Sequence, residues 1–159
     1  MCGIAGIWRF DGADPDRLSQ TVRRMADALW HRGPDAEGNW VDGSAGLGLG
    51  HRRLSIVDLS AAGAQPMVSA CGRYVISYNG EIYNADAVRA SLAPHGIVFR
   101  GHSDTEVVLE ACARWGVTKA ASTLIGIFAF AVWDRQERVL SLVRDPLGVK
   151  PLYWGHLQD

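Results

Sequence analysis

The chain has 159 residues, of which 48% are hydrophobic and 21% charged, and its formal net charge is −1. This length predicts one domain with a substantial core, and the composition excludes a disordered chain. The near-neutral charge gives no reason to expect nucleic acid or an anionic membrane as a partner. The three cysteines lack CxxC spacing and the five histidines lack HxH or HExxH spacing. We therefore expect no disulfide framework, no metal and a reducing, cytoplasmic location.

The N-terminus carries the most informative stretch, because Cys2 follows Met1 directly and precedes a small, apolar, glycine-punctuated run. Removal of Met1 would give Cys2 both a thiol and a free α-amine. An α-amine, with an ordinary pKa of about 7.7–8.0, can accept the proton of a thiol at neutral pH. One residue would then supply both a nucleophile and its base. The alternative is that Cys2 packs as a small hydrophobic residue in a first strand.

The first third of the chain predicts a strand, a helix and a polar turn. Residues 4–10 have the composition of a buried strand. Asp14 and Pro15 are typical of a helix start, and apolar residues recur at helical spacing from Leu18 to Leu29. The helix is predicted to end at the segment His31-Arg32-Gly33-Pro34-Asp35, whose Gly-Pro step leaves the flanking arginine and aspartate able to reach other parts of the molecule.

Glycines alternate with leucines over residues 46–50 and lead into a strand that ends near Arg53. The pattern is not GxGxxG, so a phosphate cradle is disfavoured, and the glycines are expected to let another backbone approach one face of the strand. At the strand end, Arg53 can present its guanidinium to a carboxylate. A surface arginine or a structural ion pair is the alternative.

The strand predicted over residues 74–78 runs into Asn79-Gly80-Glu81. An Asn-Gly pair commonly forms a tight hairpin turn. The alternative is chemical, because the amide of Asn79 and the N–H of Gly80 are two donors that can converge on a developing oxyanion.

A helix is predicted after Ser103, which together with Glu106 forms an S-x-x-E capping pattern. Asp104 then lies in the first helical turn, where its charge suits the helix dipole whatever else it does. A carboxylate at this position could equally hold the ammonium group of an amino acid.

The C-terminal third predicts a hairpin of strands over residues 124–133 and 139–143, followed by a last, edge strand over residues 150–154 that contains Pro151. Antiparallel hairpins mixed with two or three amphipathic helices predict an α+β layered fold.

Taken together, the segments resemble the glutaminase domain of class II glutamine amidotransferases, and most closely that of glutamine-hydrolysing asparagine synthetases. They run in the family's order and cover nearly the whole chain. The matching segments are Met1-Cys2-Gly3-Ile4, His31-Arg32-Gly33-Pro34-Asp35, Arg53-Leu54-Ser55-Ile56-Val57-Asp58, Asn79-Gly80-Glu81-Ile82-Tyr83-Asn84, Ser103-Asp104-Thr105-Glu106 and Arg144-Asp145-Pro146-Leu147-Gly148-Val149-Lys150-Pro151-Leu152-Tyr153.

This resemblance implies the N-terminal-nucleophile hydrolase fold, a four-layer α+β sandwich of two antiparallel sheets between helices. It implies that Cys2 attacks the side-chain amide of glutamine while Asn79 and Gly80 stabilise the oxyanion. The implied glutamine-binding residues are Arg53 for the α-carboxylate, Asp104 for the α-ammonium, and Asn79, Glu81 and the backbone of Ile56 and Val57 for the rest of the pocket.

The resemblance also sets expectations about domains and partners. Residues 1–159 would be a truncated glutaminase domain that lacks some C-terminal strands, and an ATP-dependent synthetase domain that receives the ammonia would be absent from this chain. Glutamine hydrolysis itself needs no cofactor, whereas ATP and Mg²⁺ would serve only the missing domain, with aspartate as acceptor. A related amidotransferase of polysaccharide or secondary metabolism, or a catalytically silent glutamine-binding module, is the alternative. A homodimer is left open.

Overall fold

The computed structural model describes residues 1–54 and 61–156, and no helix in these ranges is long and apolar enough to cross a membrane. The strands are β1 (Gly3–Trp8), β2 (Ala36–Asp42), β3 (Leu47–Arg53), β4 (Met67–Val68), β5 (Tyr74–Ile82), β6 (Gly126–Asp134) and β7 (Val139–Arg144). The helices are α1 (Pro15–Asp27), α2 (Ala85–Leu92), α3 (Asp104–Trp115) and α4 (Val117–Thr123).

The strands form two antiparallel sheets. The first sheet has the order β1-β3-β2 and the second has the order β4-β5-β6-β7. In the first sheet Gly3 pairs with Arg52, so the start of β1 lies beside the end of β3. This register matters because it brings Cys2 close to the residues that follow Arg53.

Helix α1 covers the outer face of the first sheet. Asp14 caps it by accepting a hydrogen bond from the N–H of Arg17, as the sequence predicts. Its buried residues rest on the glycines of β3, where a Cβ added to Gly50 would lie 2.9 Å from Cγ1 of Val22. The alternating glycines therefore let a helix approach the strand closely, which confirms the expected close contact.

The second sheet carries the larger core on the face that meets α2, α3 and α4. Aromatic and β-branched residues of β5 and β6 interdigitate with apolar residues of α3 there. This cluster includes Ile76, Tyr78, Ile82, Val107, Val108, Leu109, Phe128, Phe130 and Val132.

A smaller apolar cluster joins the two sheets. It consists of Ala45, Leu47, Leu49, Val75, Ala131 and Trp133, and the ring of Trp8 packs edge-on against that of Trp133 at 5.3 Å. The order of layers is therefore α1, first sheet, second sheet and the group α2 to α4, which confirms the expected α+β sandwich.

The structure excludes the hairpin-turn interpretation of Asn79-Gly80, and the predicted strand over residues 150–154 was wrong. Asn79 and Gly80 do not form a hairpin turn, because β5 continues through both and pairs with Ala129 and Phe128 of β6. Residues 150–154 do not form a strand. Pro151 lacks an N–H, and the side chains of Tyr153 and Trp154 are 91% and 75% exposed, so this segment has neither a ladder nor a core face in the described part of the chain.

Candidate active site

A cavity of about 210 Å³ opens where β1 begins and where β3 ends. The second half of β5 and the first turn of α3 form its other walls. Every predicted site residue that the structure describes lines it, namely Cys2, Arg53, Asn79, Gly80, Glu81 and Asp104. The predicted contacts from Ile56 and Val57 lie outside the described residues.

Cys2 is held between β1 and the chain that leaves β3. The N–H of Leu54 donates to Sγ of Cys2 at 3.4 Å, and the thiol lies 3.7 Å from the carbonyl oxygen of the same residue. Nε of Arg32 donates to the carbonyl oxygen of Cys2 at 3.2 Å. Arg32 belongs to the polar turn that follows the first helix, so that turn does reach across to the N-terminus. Met1 is half exposed at the mouth of the same cavity.

Arg53 is the last residue of β3, as the sequence predicts, and its backbone is pinned by the N–H of Asp35, which donates to its carbonyl oxygen at 3.0 Å. Its guanidinium passes over Gly63, where an added Cβ would lie 3.0 Å from Cζ. The absence of a side chain at Gly63 therefore makes room for the guanidinium in the cavity wall.

Asn79 and Gly80 lie side by side on β5. Asn79 is 5% exposed, and its side-chain amide has no hydrogen-bond partner among residues 1–54 and 61–156. A Cβ added at Gly80 would lie 2.5 Å from the carbonyl oxygen of Ile127 and 2.7 Å from Cα of Phe128. Glycine is therefore required by the approach of β6, and the amide of Asn79 is available to a ligand in the cavity.

Asp104 is the first residue of α3, which Ser103 caps by accepting a hydrogen bond from the N–H of Glu106. Oδ2 of Asp104 accepts two hydrogen bonds, from the phenol of Tyr78 at 2.7 Å and from the N–H of Ile82 at 3.0 Å. Burial raises the pKa of Asp104, and these hydrogen bonds oppose that rise. Burial and the neighbouring Asp104 raise the pKa of Tyr78 far above its ordinary value, so the phenol remains a donor.

Tyr78 is a residue that the sequence interpretation missed. It lies in a run of β-branched and aromatic residues, where an aromatic ring predicts core packing. Its ring does pack there, with its centroid 6.3 Å from that of Phe130. Its hydroxyl donates to Asp104 in the cavity wall, and no sequence pattern marks that contact.

Lys150 is the second missed residue, because its segment is predicted as a strand. It is 9% exposed and lines the cavity. A web of hydrogen bonds fixes its backbone: Oδ2 of Asp145 accepts from the N–H of Lys150 at 2.9 Å and from that of Phe128 at 3.3 Å, and Nε of Arg144 donates to the carbonyl oxygen of Lys150 at 2.8 Å. The loop after β7 is thus joined to β6 opposite Gly80.

His51 lies on β3 between the two sheets and is fully buried. Burial lowers its pKa to about 4, so the ring is neutral at neutral pH, and Nε2 lies 3.1 Å from the carbonyl oxygen of Tyr78. This geometry assigns the proton to Nε2, which donates to that oxygen. His51 therefore fixes the strand that carries Asn79 against the sheet that carries Cys2.

The cavity combines groups of complementary charge around one thiol. Arg53 and Lys150 supply positive charge, whereas Glu81 and Asp104 supply carboxylates. These groups suit a zwitterionic amino acid, whose remaining side chain would extend toward the sulfur and toward the donors of β5.

The helix–sheet–sheet–helix sandwich, with Cys2 at the start of its first strand, is the fold of the N-terminal-nucleophile hydrolases. The chain belongs to the glutamine amidotransferase domain family, whose sequence profile matches residues 1–159.

Individual relatives agree with this membership. The chain is 40% identical over 163 residues to asparagine synthetase [glutamine-hydrolyzing] 1 of Bacillus subtilis, and the match covers 100% of this chain and 25% of that protein. It is 36% identical over 162 residues to amidase chry2 of Gibberella zeae, covering 97% of this chain and 24% of that protein. The chain thus spans about a quarter of the length of the relatives it matches.

The fold has a solved counterpart in glutamine phosphoribosylpyrophosphate amidotransferase of B. subtilis, determined with ADP and GMP. The two structures superpose with a TM-score of 0.76 at 21% identity, and the match covers 93% of this chain and 38% of that one. At this identity the likeness concerns the fold alone, and the membership itself rests on the sequence match.

Proposed function

We propose that this chain hydrolyses glutamine to glutamate and ammonia as the glutaminase part of a glutamine-hydrolysing asparagine synthase. The observation that carries the proposal is the placement of Cys2 in one cavity with Asn79 and Gly80, while Arg53 and Asp104 line the same cavity. Its relatives named as glutamine-hydrolysing asparagine synthetases support the assignment to asparagine formation.

The reaction begins once Met1 has been removed. Sγ of Cys2 attacks the side-chain carbonyl carbon of glutamine, and the α-amine of the same residue takes the thiol proton. That proton passes to the departing nitrogen, which leaves as ammonia when the tetrahedral intermediate collapses to a thioester. Water then attacks the thioester, and its second tetrahedral intermediate releases glutamate and regenerates the thiol.

The oxyanion of both tetrahedral intermediates would be bound by the side-chain amide of Asn79 and the N–H of Gly80. Both donors sit on a strand that is hydrogen-bonded along its length to β6, so they need little rearrangement as the charge develops.

Substrate recognition would use both charged groups of a free amino acid. Arg53 binds the α-carboxylate and Asp104 the α-ammonium, and Glu81 with the backbone of Ile56 and Val57 completes the pocket. A peptide-bound glutamine lacks both charged groups, so it would form neither of these ion pairs, and the site therefore selects free glutamine.

In the proposed assignment, the domain that uses the ammonia corresponds to the part of the longer relatives that this chain does not span. That domain would activate aspartate with ATP and Mg²⁺, whereas glutamine hydrolysis needs no cofactor. We propose a cytoplasmic setting, with residues 1–159 acting as the glutaminase domain beside that synthetase domain. A homodimer would be compatible with this arrangement.

Glutamate release from glutamine tests the proposal. The Cys2→Ala variant should release no glutamate above the uncatalysed rate, since it lacks the nucleophile. The matched control is Cys71→Ala, which removes an exposed thiol outside the cavity and should leave turnover unchanged. Ammonia release by Cys2→Ala at the parent rate would contradict the proposal.

A further inference from the structure

We propose that Tyr78 is a positioning residue that makes the cavity selective for a free α-ammonium group, by holding the carboxylate of Asp104 in one orientation. The inference rests on the proposed function, because the proposed function assigns the α-ammonium group of glutamine to Asp104, and Tyr78 acts on Asp104. It goes beyond the family's motif residues, since Tyr78 is in none of the segments that carry the resemblance.

Two donors from β5 hold one carboxylate oxygen of Asp104. Oδ2 accepts from both the phenol of Tyr78 and the N–H of Ile82, at 2.7 and 3.0 Å. The backbone N–H groups of Asp104 and Thr105 also lie against the carboxylate, but Tyr78 is the only side chain in the described ranges that donates to it. The two donors on Oδ2 fix the plane in which the carboxylate would meet an ammonium group.

A neutral donor suits this task better than a charged one. An arginine or lysine bound to Asp104 would compensate its charge before any substrate arrived. The phenol instead stays protonated, because burial and the adjacent carboxylate oppose its ionisation. Tyr78 therefore orients the carboxylate and leaves its full negative charge for an ammonium group.

A second pair of hydrogen bonds links β5 to α3 and does not involve the phenol of Tyr78. Oε1 of Gln65 accepts from the N–H of Tyr78 at 2.7 Å, and its Nε2 donates to Oγ1 of Thr105 at 3.1 Å. The aromatic ring also remains packed beside Phe130 when only the hydroxyl is removed. Tyr78→Phe should therefore fold and should lose only the orienting hydrogen bond.

The experiment compares two ligands that differ only in the α-ammonium group. Glutamine hydrolysis is measured for KM and kcat, and 4-carbamoylbutanoate, which has hydrogen in place of that group, is measured as a competitive inhibitor. For Tyr78→Phe we expect KM for glutamine to rise about tenfold with kcat nearly unchanged, since a hydrogen bond to a charged group has been lost. The inhibition constant of the analogue should stay within about twofold of the parent value.

Two further variants separate positioning from a structural role. In an Asp104→Asn background the Tyr78→Phe change should have no additional effect on KM, because the residue acts through the carboxylate. Tyr83→Phe, which removes an exposed hydroxyl outside the cavity, should match the parent in every measurement.

Equal weakening of glutamine and of the analogue would overturn the inference, and so would an unchanged KM for glutamine. A Tyr78→Phe protein that fails to fold would also overturn the inference, because the hydrogen bonds of Gln65 are expected to keep β5 and α3 together. These outcomes differ from failure of the proposed function, in which the parent itself would release no glutamate.

Discussion

The two faces of β5 serve different ends, although the same nine residues form both. On the face toward the helices, Tyr74, Ile76 and Ile82 are buried in the larger core from one end of the strand to the other. On the face toward the first sheet, the residues change from apolar Val75 through Ser77 to Asn79 and exposed Glu81. The face toward the helices is apolar apart from the hydroxyl of Tyr78, which donates to Asp104 in the cavity wall, whereas the other face changes from apolar core to polar cavity.

This difference shows how one strand can combine stability with reactivity. The mainly apolar face packs against three helices, so the strand stays in place even though the side-chain amide of Asn79 on its other face has no partner in the described structure. Deeper between the sheets, the hydroxyl of Ser77 is paired and donates to the carbonyl oxygen of Gly50 at 3.1 Å. At the cavity, the buried side-chain amide of Asn79 on this face is available to a ligand.

Substitution of Asn79 by alanine is the sharpest test of the polar end of that face. We expect kcat for glutamine to fall by roughly 10²–10³, because one of two oxyanion donors is lost. The matched control is Ser77→Ala, two residues earlier on the same face and outside the cavity, which should keep kcat within about twofold. Steady-state kinetics of both variants checks this, and equal losses of kcat would break the distinction.

Substitution of Ile76 by alanine tests the apolar face. We expect the free energy of unfolding to fall by about 2–5 kcal/mol, since a fully buried side chain is replaced by a cavity. Denaturant titration measures this change. Turnover per folded molecule should stay close to that of the parent, and a loss of kcat as large as that of Asn79→Ala would show that the two faces are not separable.

Acid should weaken the polar layer between the sheets through His51. Its pKa is lowered from 6.5 to about 4 in the folded protein, so the unfolded chain takes up the proton first as the pH falls. The stability from burying the neutral ring is complete above pH 6.5 and is lost as the pH falls toward 4, by about 3 kcal/mol in total.

The His51→Gln variant checks this pH dependence, because its amide can still donate to the carbonyl oxygen of Tyr78 but does not titrate. Denaturant unfolding of parent and variant at pH 7 and pH 4.5 gives the comparison. The parent should lose more stability over that interval than the variant does. Equal losses would show that His51 does not carry the acid sensitivity.

The smallest effect is expected away from both faces of β5, at the start of α1. Asp14→Ala removes the acceptor for the N–H of Arg17 and should cost about 1 kcal/mol of unfolding free energy. Its control, Asp16→Ala, keeps the cap and should cost less. Neither should change kcat, since α1 covers the outer face of the first sheet. A change in kcat would show that the functional site extends beyond the two sheets to α1.

Much of the fold could be predicted because its signals are local, whereas the set of candidate site residues came from the family resemblance. The alternating glycines of β3, the proline after Asp14 and the strand-like run before Asn79 each indicate a backbone geometry directly. Cys2 and Arg53 lie at strand ends and Asp104 at a helix start, and the antiparallel register of β1 and β3 brings Cys2 near Arg53, whereas Asn79 and Gly80 lie within β5.

The missed features depend on contacts between residues distant in the chain. Tyr78 acquires its role only because α3 places Asp104 against its hydroxyl, 26 residues later. Lys150 was misplaced on a strand because the binding of Asp145 to the N–H of Phe128 is invisible to local propensity. Asn79-Gly80 looks like a turn for the same reason, since its strand conformation comes from pairing with β6.

The most direct measurement is peptide mapping of active protein after reaction with a diazoketone analogue of glutamine, with residual glutaminase activity followed in parallel. The account predicts that activity is lost in proportion to one label per chain, and that the labelled peptide begins with Cys2 and carries the label on its sulfur. Label on Cys71 or Cys112, or fully active protein that still begins with Met1, would contradict it.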